Sequence, residues 1–180
     1  DEFNDIPVPG NPSGPATSDQ VLNGMNIPAQ QRILLYSAGQ WEEFIHEWVH
    51  YCLKKKYVQV QRFSGAGDRG IDIAGFESEK KLEGIWDNYQ CKHYGQALHP
   101  GDAWPEIGKI LWHSFNKQYT APRKYFFVAP HGVGTTLAGY LANAGKLKSA
   151  VIEKWDKDIG SKITEKVKIP LEGEFLQYVE

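Results

Sequence analysis

The 180-residue chain is poor in cysteine, in long apolar runs and in net charge, and each shortage narrows what it can be. Only Cys52 and Cys91 are present, too few for a disulfide framework or a four-cysteine zinc site, so a reducing, cytoplasmic setting is expected. No apolar stretch approaches the roughly 20 residues that span a bilayer, and no basic segment followed by an apolar one opens the sequence as a secretory signal would. The expectation is a soluble protein with no membrane partner. Net charge is only -2, so no general attraction to nucleic acid follows, and any such pull must come from local groups such as Lys54-Lys55-Lys56, Arg62 and Arg69. No internal repeat is visible.

What is present is a hydrophobic fraction of 41% with many aromatics, enough for a sizeable core in one compact domain. Residues 1–30 are expected to form a flexible arm, because the segment to about residue 27 is rich in Pro, Gly, Ser and Asn without sustained periodicity. Residues 31–180 would be the folded domain, free to be part of a longer chain.

From Gln40 to about Lys55 the residues Trp41, Phe44, Ile45, Trp48, Val49 and Cys52 recur at helical spacing. Tyr57 to Phe63 alternates as a strand, the glycine-rich run Ser64 to Gly70 must turn, and Ile71 to Phe76 resumes as a second strand. Gly84 to His93 reads as a third strand with Gln90 and Lys92 on one face, Cys91 on the other, and Trp86 and Tyr89 in the core. A helix follows from about Trp104 to Phe115, then a buried strand in KYFFVAP (Lys124 to Pro130), then a helical region from Thr135 to Trp155. The tail from Ile163 to Glu180 fits a short strand or a helix. The class is α/β.

Phosphodiester cleavage requires a divalent cation, carboxylates to hold it, and a group to position the attacking water. Asp72 lies just after the glycine turn, while Gln90 and Lys92 share a face of the next strand, so the three can converge at one end of a small sheet. Asp68 reads as shaping the turn, His93 as a strand-end histidine, and Lys54-Lys55-Lys56 as a solvated helix end.

These residues resemble a known family. GAGDRGIDI followed by YQCK, preceded by a helix opening WEEF, is similar to the Mrr-like branch of the restriction-endonuclease-like, or PD-(D/E)xK, nucleases, over roughly Gln40 to Val128. The resemblance implies a restriction-endonuclease-like core of helix, three antiparallel strands, helix and strand, with a central mixed sheet flanked by helices. It implies an active site of Glu42, Asp72, Gln90 and Lys92. In the mechanism it implies, Asp72 and the backbone carbonyl of Cys91 bind Mg2+, with Mn2+ able to substitute. Glu42 completes the shell directly or through water, and Lys92 positions the attacking water. Gln90 replaces the commoner acidic residue of the wider superfamily, which removes one anionic ligand.

Glu43 is the fallback for Glu42 if the register slips by one. Helix phase favours Glu42: with the apolar face centred near Trp41, Glu42 lies on its flank beside Val49 and Leu53 and Glu43 on the far side. The implied activity is a Mg2+-dependent endonuclease acting on double-stranded DNA, an effector in restriction or antiphage defence. Its implied partners are DNA, a fused or associated sensor domain, and a second copy for cutting both strands.

One rival pattern is His46-Glu47-Trp48-Val49-His50, the H-E-x-x-H signature of zinc metallopeptidases. The same helical wheel turns both histidines toward solvent, and His93, His99, His113 and His131 form no companion motif for a third ligand. A nuclease-like fold that only binds DNA or protein is the remaining alternative.

Overall fold

The structure, a computed structural model, describes residues 24, 27–65, 69–164 and 166–180. The expected N-terminal arm and Asp68 therefore fall almost wholly or wholly outside the described residues. The elements run α1 (Ala29–Leu34), α2 (Ala38–Cys52), β1 (Gln59–Arg62), β2 (Ile73–Phe76), a 3-10 turn (Lys81–Glu83) and β3 (Trp86–Cys91). After these come α3 (Pro100–Phe115), β4 (Lys124–Val128), α4 (Thr135–Leu141), α5 (Ala144–Lys154), a π-helical turn (Trp155–Ile159) and α6 (Gly173–Val179). This is an α/β protein whose four strands form one mixed sheet in the order β1-β2-β3-β4. The β1–β2 and β2–β3 pairs are antiparallel, and α3 carries the chain back so that β4 runs parallel to β3. No helix of the described residues is long and apolar enough to cross a membrane.

Local chemistry explains the helix ends. Ser37 and Gln40 close a reciprocal capping box at the start of α2, with Gln40 N–H donating to Ser37 Oγ at 3.2 Å and Ser37 N–H to Gln40 Oε1 at 2.8 Å. At α3, Asp102 Oδ2 accepts from the His99 backbone N–H at 2.7 Å. The helical region read from Thr135 to Trp155 is two helices, because Asn143 breaks it and its Oδ1 caps α5 through Lys146 N–H. Of the tail only Gly173–Val179 is helical, and α1 is an element the composition did not signal.

The sheet is covered on both faces. On one, Trp41, Ile45 and Val49 of α2 pack on Tyr57, Ile73, Tyr89 and Cys91. On the other, Ile110 of α3 joins Phe63, Ile71, Ala74, Phe76 and Trp86. Wholly buried side chains such as Trp86, Phe76 and Ile73 each stabilise the fold by roughly 1.5–3 kcal/mol. Trp86 and Tyr89 are core, as expected. A third cluster around Trp104, Trp155 and Phe175 seats the C-terminal helices against α3.

Three sequence expectations are corrected here. The buried face of α2 is Trp41, Ile45, His46 and Val49, not the stripe through Phe44 and Trp48. At about 100° per residue this turns the inward face some 60° from Trp41 toward Glu42. His46 is thus 1% exposed rather than solvent-facing, while Phe44 and Trp48 stay 36% and 41% exposed and Cys52 is exposed. The reason is aromatic packing around the helix rim: Trp48 meets Tyr89 edge-on, Phe44 stacks on Trp41, and the Trp41 indole donates to Val128 O across the sheet at 3.0 Å. Second, β4 is the edge of the four-stranded sheet, and its residues are half-buried or exposed, so it is not the buried strand its apolar content suggests. Third, Lys56 is not a purely solvated cation, since its ammonium reaches buried Asp87 at 2.6 Å.

Candidate active site

Cross-strand partners share a face, so the register assigns each side chain a side. Ala74, Asn88 and Tyr125 face α3, and so does Gln90 two residues after Asn88. Asp72, one residue before β2, lies on the same side, and its Oδ2 accepts both the Gln90 Nε2 amide at 2.9 Å and the Cys91 backbone N–H at 2.7 Å. The other end of the Gln90 amide is fixed as well, because Tyr125 O–H donates to Gln90 Oε1 at 3.1 Å. Lys92 follows directly at the end of β3, where its N–H continues the ladder to Val128 O at 2.9 Å. The structure therefore brings Asp72, Gln90 and Lys92 together by direct bonds and electrostatic contact.

Glu42 is placed differently. It rises from α2 on the opposite face, where it pairs with Arg62 of β1 at 3.0 Å, and Glu43 approaches the same guanidinium at 3.7 Å. No hydrogen bond links Glu42 to Asp72, although the Glu42 charge raises the Asp72 carboxyl. Arg62, expected as a surface cation, is 8% exposed and committed to these two acids, so it is no free phosphate-binding group. The Cys91 side chain turns toward α2, and burial pushes its thiol up, away from the reactive thiolate form.

Glu106 on α3, absent from the sequence-based list, completes the α3 side of the site. It is 6% exposed, with Oε1 taking the Lys92 ammonium at 2.7 Å and Oε2 the Lys109 ammonium at 3.2 Å. A signal for it exists: Ala103, Glu106, Ile110 and Ser114 form the buried stripe of the helix, and a carboxylate at that phase is out of place unless paired. Gly70 lets the helix approach. Its φ is +82°, and a Cβ there would stand 2.9 Å from Lys109 Cβ, so the turn before Asp72 and α3 touch backbone to side chain.

Two sheet aspartates make the electrostatics plain. Asp87 is fully buried, yet Arg123, Lys56 and the Tyr57 hydroxyl all donate to it, at 2.6–2.9 Å. Against the cost of burial, these donors pull its carboxyl down to about 2. Asp72 has only the Cys91 N–H and Gln90, with the Lys92 charge turned to Glu106. Burial raises its carboxyl to about 7; the Cys91 hydrogen bond and the Lys92 charge oppose this, while the nearby Glu42 and Glu106 charges add to it. Lys92 is itself penalised by burial but is held above the ordinary lysine value by Glu106 and Asp72, so it stays an ammonium. Glu106, opposed in the same way by burial, is held low by Lys92 and Lys109.

Among the described residues no three His, Cys, Asp or Glu side chains come together as a metal-holding group. That holds alike for Glu42, Asp72 and Glu106 and for His46, Glu47 and His50. His93 is not a bare strand-end histidine: its Nε2 is 2.9 Å from Ile33 O, which ties α1 to the end of β3, and its ring meets Trp41 edge-on. Comparison of the chain with family models, with curated proteins and with solved structures finds no match.

Proposed function

We propose that this chain is a Mg2+-dependent endodeoxyribonuclease with a restriction-endonuclease-like core, acting on double-stranded DNA as an effector of restriction or antiphage defence. One observation carries the reading: Asp72, a half-buried carboxylate whose two hydrogen bonds both end on Oδ2, shares the end of the sheet with Lys92, whose ammonium is paired with Glu106. A carboxylate satisfied for structural reasons looks like Asp87 instead.

The donor set fits a hard cation. Asp72 spends both of its hydrogen bonds on Oδ2, which leaves Oδ1 for a ligand, and the N–H and C=O of one strand residue point to the same edge, so the Cys91 carbonyl is turned the way its N–H is. Asp72 and the Cys91 carbonyl would hold Mg2+, with Mn2+ as a substitute, and Glu42 would join from the α2 side directly or through water. Oxygen-only ligands suit these ions. A metal held by these residues would neutralise phosphate charge and acidify water. Gln90 orients Asp72 as a donor that a carboxylate could not be. Lys92, already protonated, orients water and phosphate oxygens and does not act as the base.

The test is plasmid cleavage with Mg2+, with EDTA, and with Asp72→Ala, Lys92→Ala and His50→Ala run together. Cutting that is abolished by EDTA and by the first two substitutions, and retained in His50→Ala, supports the reading. A zinc-dependent activity lost only in His50→Ala would replace it with the metallopeptidase, and DNA binding without cleavage under any condition would leave a binding module.

A further inference from the structure

We propose that Glu106 is a positioning residue whose carboxylate holds the Lys92 ammonium away from Asp72, keeping the Asp72 oxygens open to a divalent cation. The inference rests on reading Asp72 as a metal-binding carboxylate.

A glutamate on the buried stripe of a helix is costly unless paired, and Glu106 is paired through both oxygens, with Lys92 from the end of β3 and with Lys109 from its own helix. Lys92 is itself largely enclosed, with its side chain 15% exposed, so its ammonium must have an anionic partner on this face. Among the described residues two carboxylates offer themselves there, Glu106 and Asp72. Lys92 and Asp72 already feel each other's charge, and Asp72 Oδ2 is filled by Gln90 and the Cys91 N–H. Without Glu106, the remaining oxygen of Asp72 is the partner left to Lys92 among the described residues, and a cation would then have to displace the lysine. Lys109 completes the arrangement, since by meeting Oε2 it leaves Glu106 with no uncompensated charge to draw the cation to itself. Glu106 reaches the reaction only through Lys92.

Mn2+ binding, followed by loss of the free-ion paramagnetic resonance signal and by calorimetry, tests this without relying on cleavage. The proteins are the wild-type chain, Glu106→Gln, Lys92→Met and the double variant, each checked for a cooperative melting transition. Glu106→Gln is expected to weaken Mn2+ binding by about tenfold or more, the scale on which partners of metal ligands act. Lys92→Met should bind at least as tightly as wild type, and the double variant should recover to that level because no lysine is left to compete. Recovery in the double variant is what a purely structural role would not produce. Unchanged binding in Glu106→Gln, or a double variant as weak as Glu106→Gln alone, overturns the proposal while leaving the metal reading intact. A wild-type chain that binds no Mn2+ overturns the metal reading, and this inference falls with it.

Discussion

Asp72→Asn should make the protein more stable while destroying its proposed activity, and the gain should depend on pH. Both hydrogen bonds to Asp72 end on one oxygen, so the asparagine carbonyl can keep the Gln90 and Cys91 contacts while the amide nitrogen replaces Oδ1. What changes is charge. The folded-state carboxyl is raised from the usual 3.8 to about 7, so folding favours the protonated form. The cost of ionisation is therefore absent below about pH 4, grows between pH 4 and 7, and is complete above pH 7. A rise from 3.8 to about 7 corresponds to about 4 kcal/mol for a group sealed from solvent. Asp72 is not sealed from solvent, so screening absorbs part of this, and we expect a gain of about 2 kcal/mol at pH 8. For a chain of this length that is roughly 4–8 °C in melting temperature. The assay is calorimetry in EDTA at pH 8 and pH 4.5, with wild type and variant compared at each. A variant that is less stable at pH 8, or whose advantage is the same at both pH values, would refute the argument that Asp72 is an under-compensated charge.

The remaining expectations concern its neighbours. Gln90→Glu sets a second carboxylate where a donor now stands 2.9 Å from Asp72, so in EDTA it should cost about 1–3 kcal/mol, and added Mg2+ should recover most of it; equal melting with and without the ion would count against the arrangement. Asp87→Ala removes the shared acceptor of Lys56, Tyr57 and Arg123 and should cost about 3 kcal/mol at pH 7 with Mn2+ affinity unchanged. Because the folded Asp87 carboxyl is depressed to about 2, its contribution is present above pH 4 and fades as pH falls toward 2, so the gap between wild type and variant should close over that range in acid titrations. Gly70→Ala places a Cβ in a left-handed turn and 2.9 Å from Lys109 Cβ, and should cost about 1–3 kcal/mol by chemical denaturation; an unaltered midpoint would show that α3 does not rest on this turn.

How much of this was legible in the sequence follows from which residues interact locally. The order of helix, three strands, helix and strand was readable because periodicity and glycine turns are local signals, and it agrees with the observed elements. The phase of α2 was not. Its apolar residues span a broad arc, and the face that turns inward is settled by Trp41 reaching Val128, 87 residues away, and by Trp48 against Tyr89. The apolar content of β4 suggested burial, but whether a strand is central or at an edge is a property of the sheet order. On the α3 side, strand spacing carries the convergence of Asp72, Gln90 and Lys92 and the family resemblance their role, whereas Glu106 lies on a helix whose apolar stripe hides its one charge.

The two aspartates show where reading stops in principle. Asp72 precedes β2 by one residue and Asp87 is the second residue of β3, and although their flanking sequences differ, neither flank says which carboxylate will find its donors. Their difference lies in donors supplied from far along the chain. Lys56 precedes Asp87 by 31 residues and Arg123 follows it by 36, and together with Tyr57 they satisfy it. Tyr57 can lie there because Gly75 has no side chain; a Cβ at that position would stand 2.6 Å from the tyrosine ring. For Asp72 the corresponding cations have their close ion pairs elsewhere, Arg62 with Glu42 and Lys92 with Glu106, so Lys92 acts on Asp72 only at longer range. The under-compensated charge that marks the candidate site is thus a consequence of how two neighbouring ion pairs are partnered, which only the tertiary structure determines.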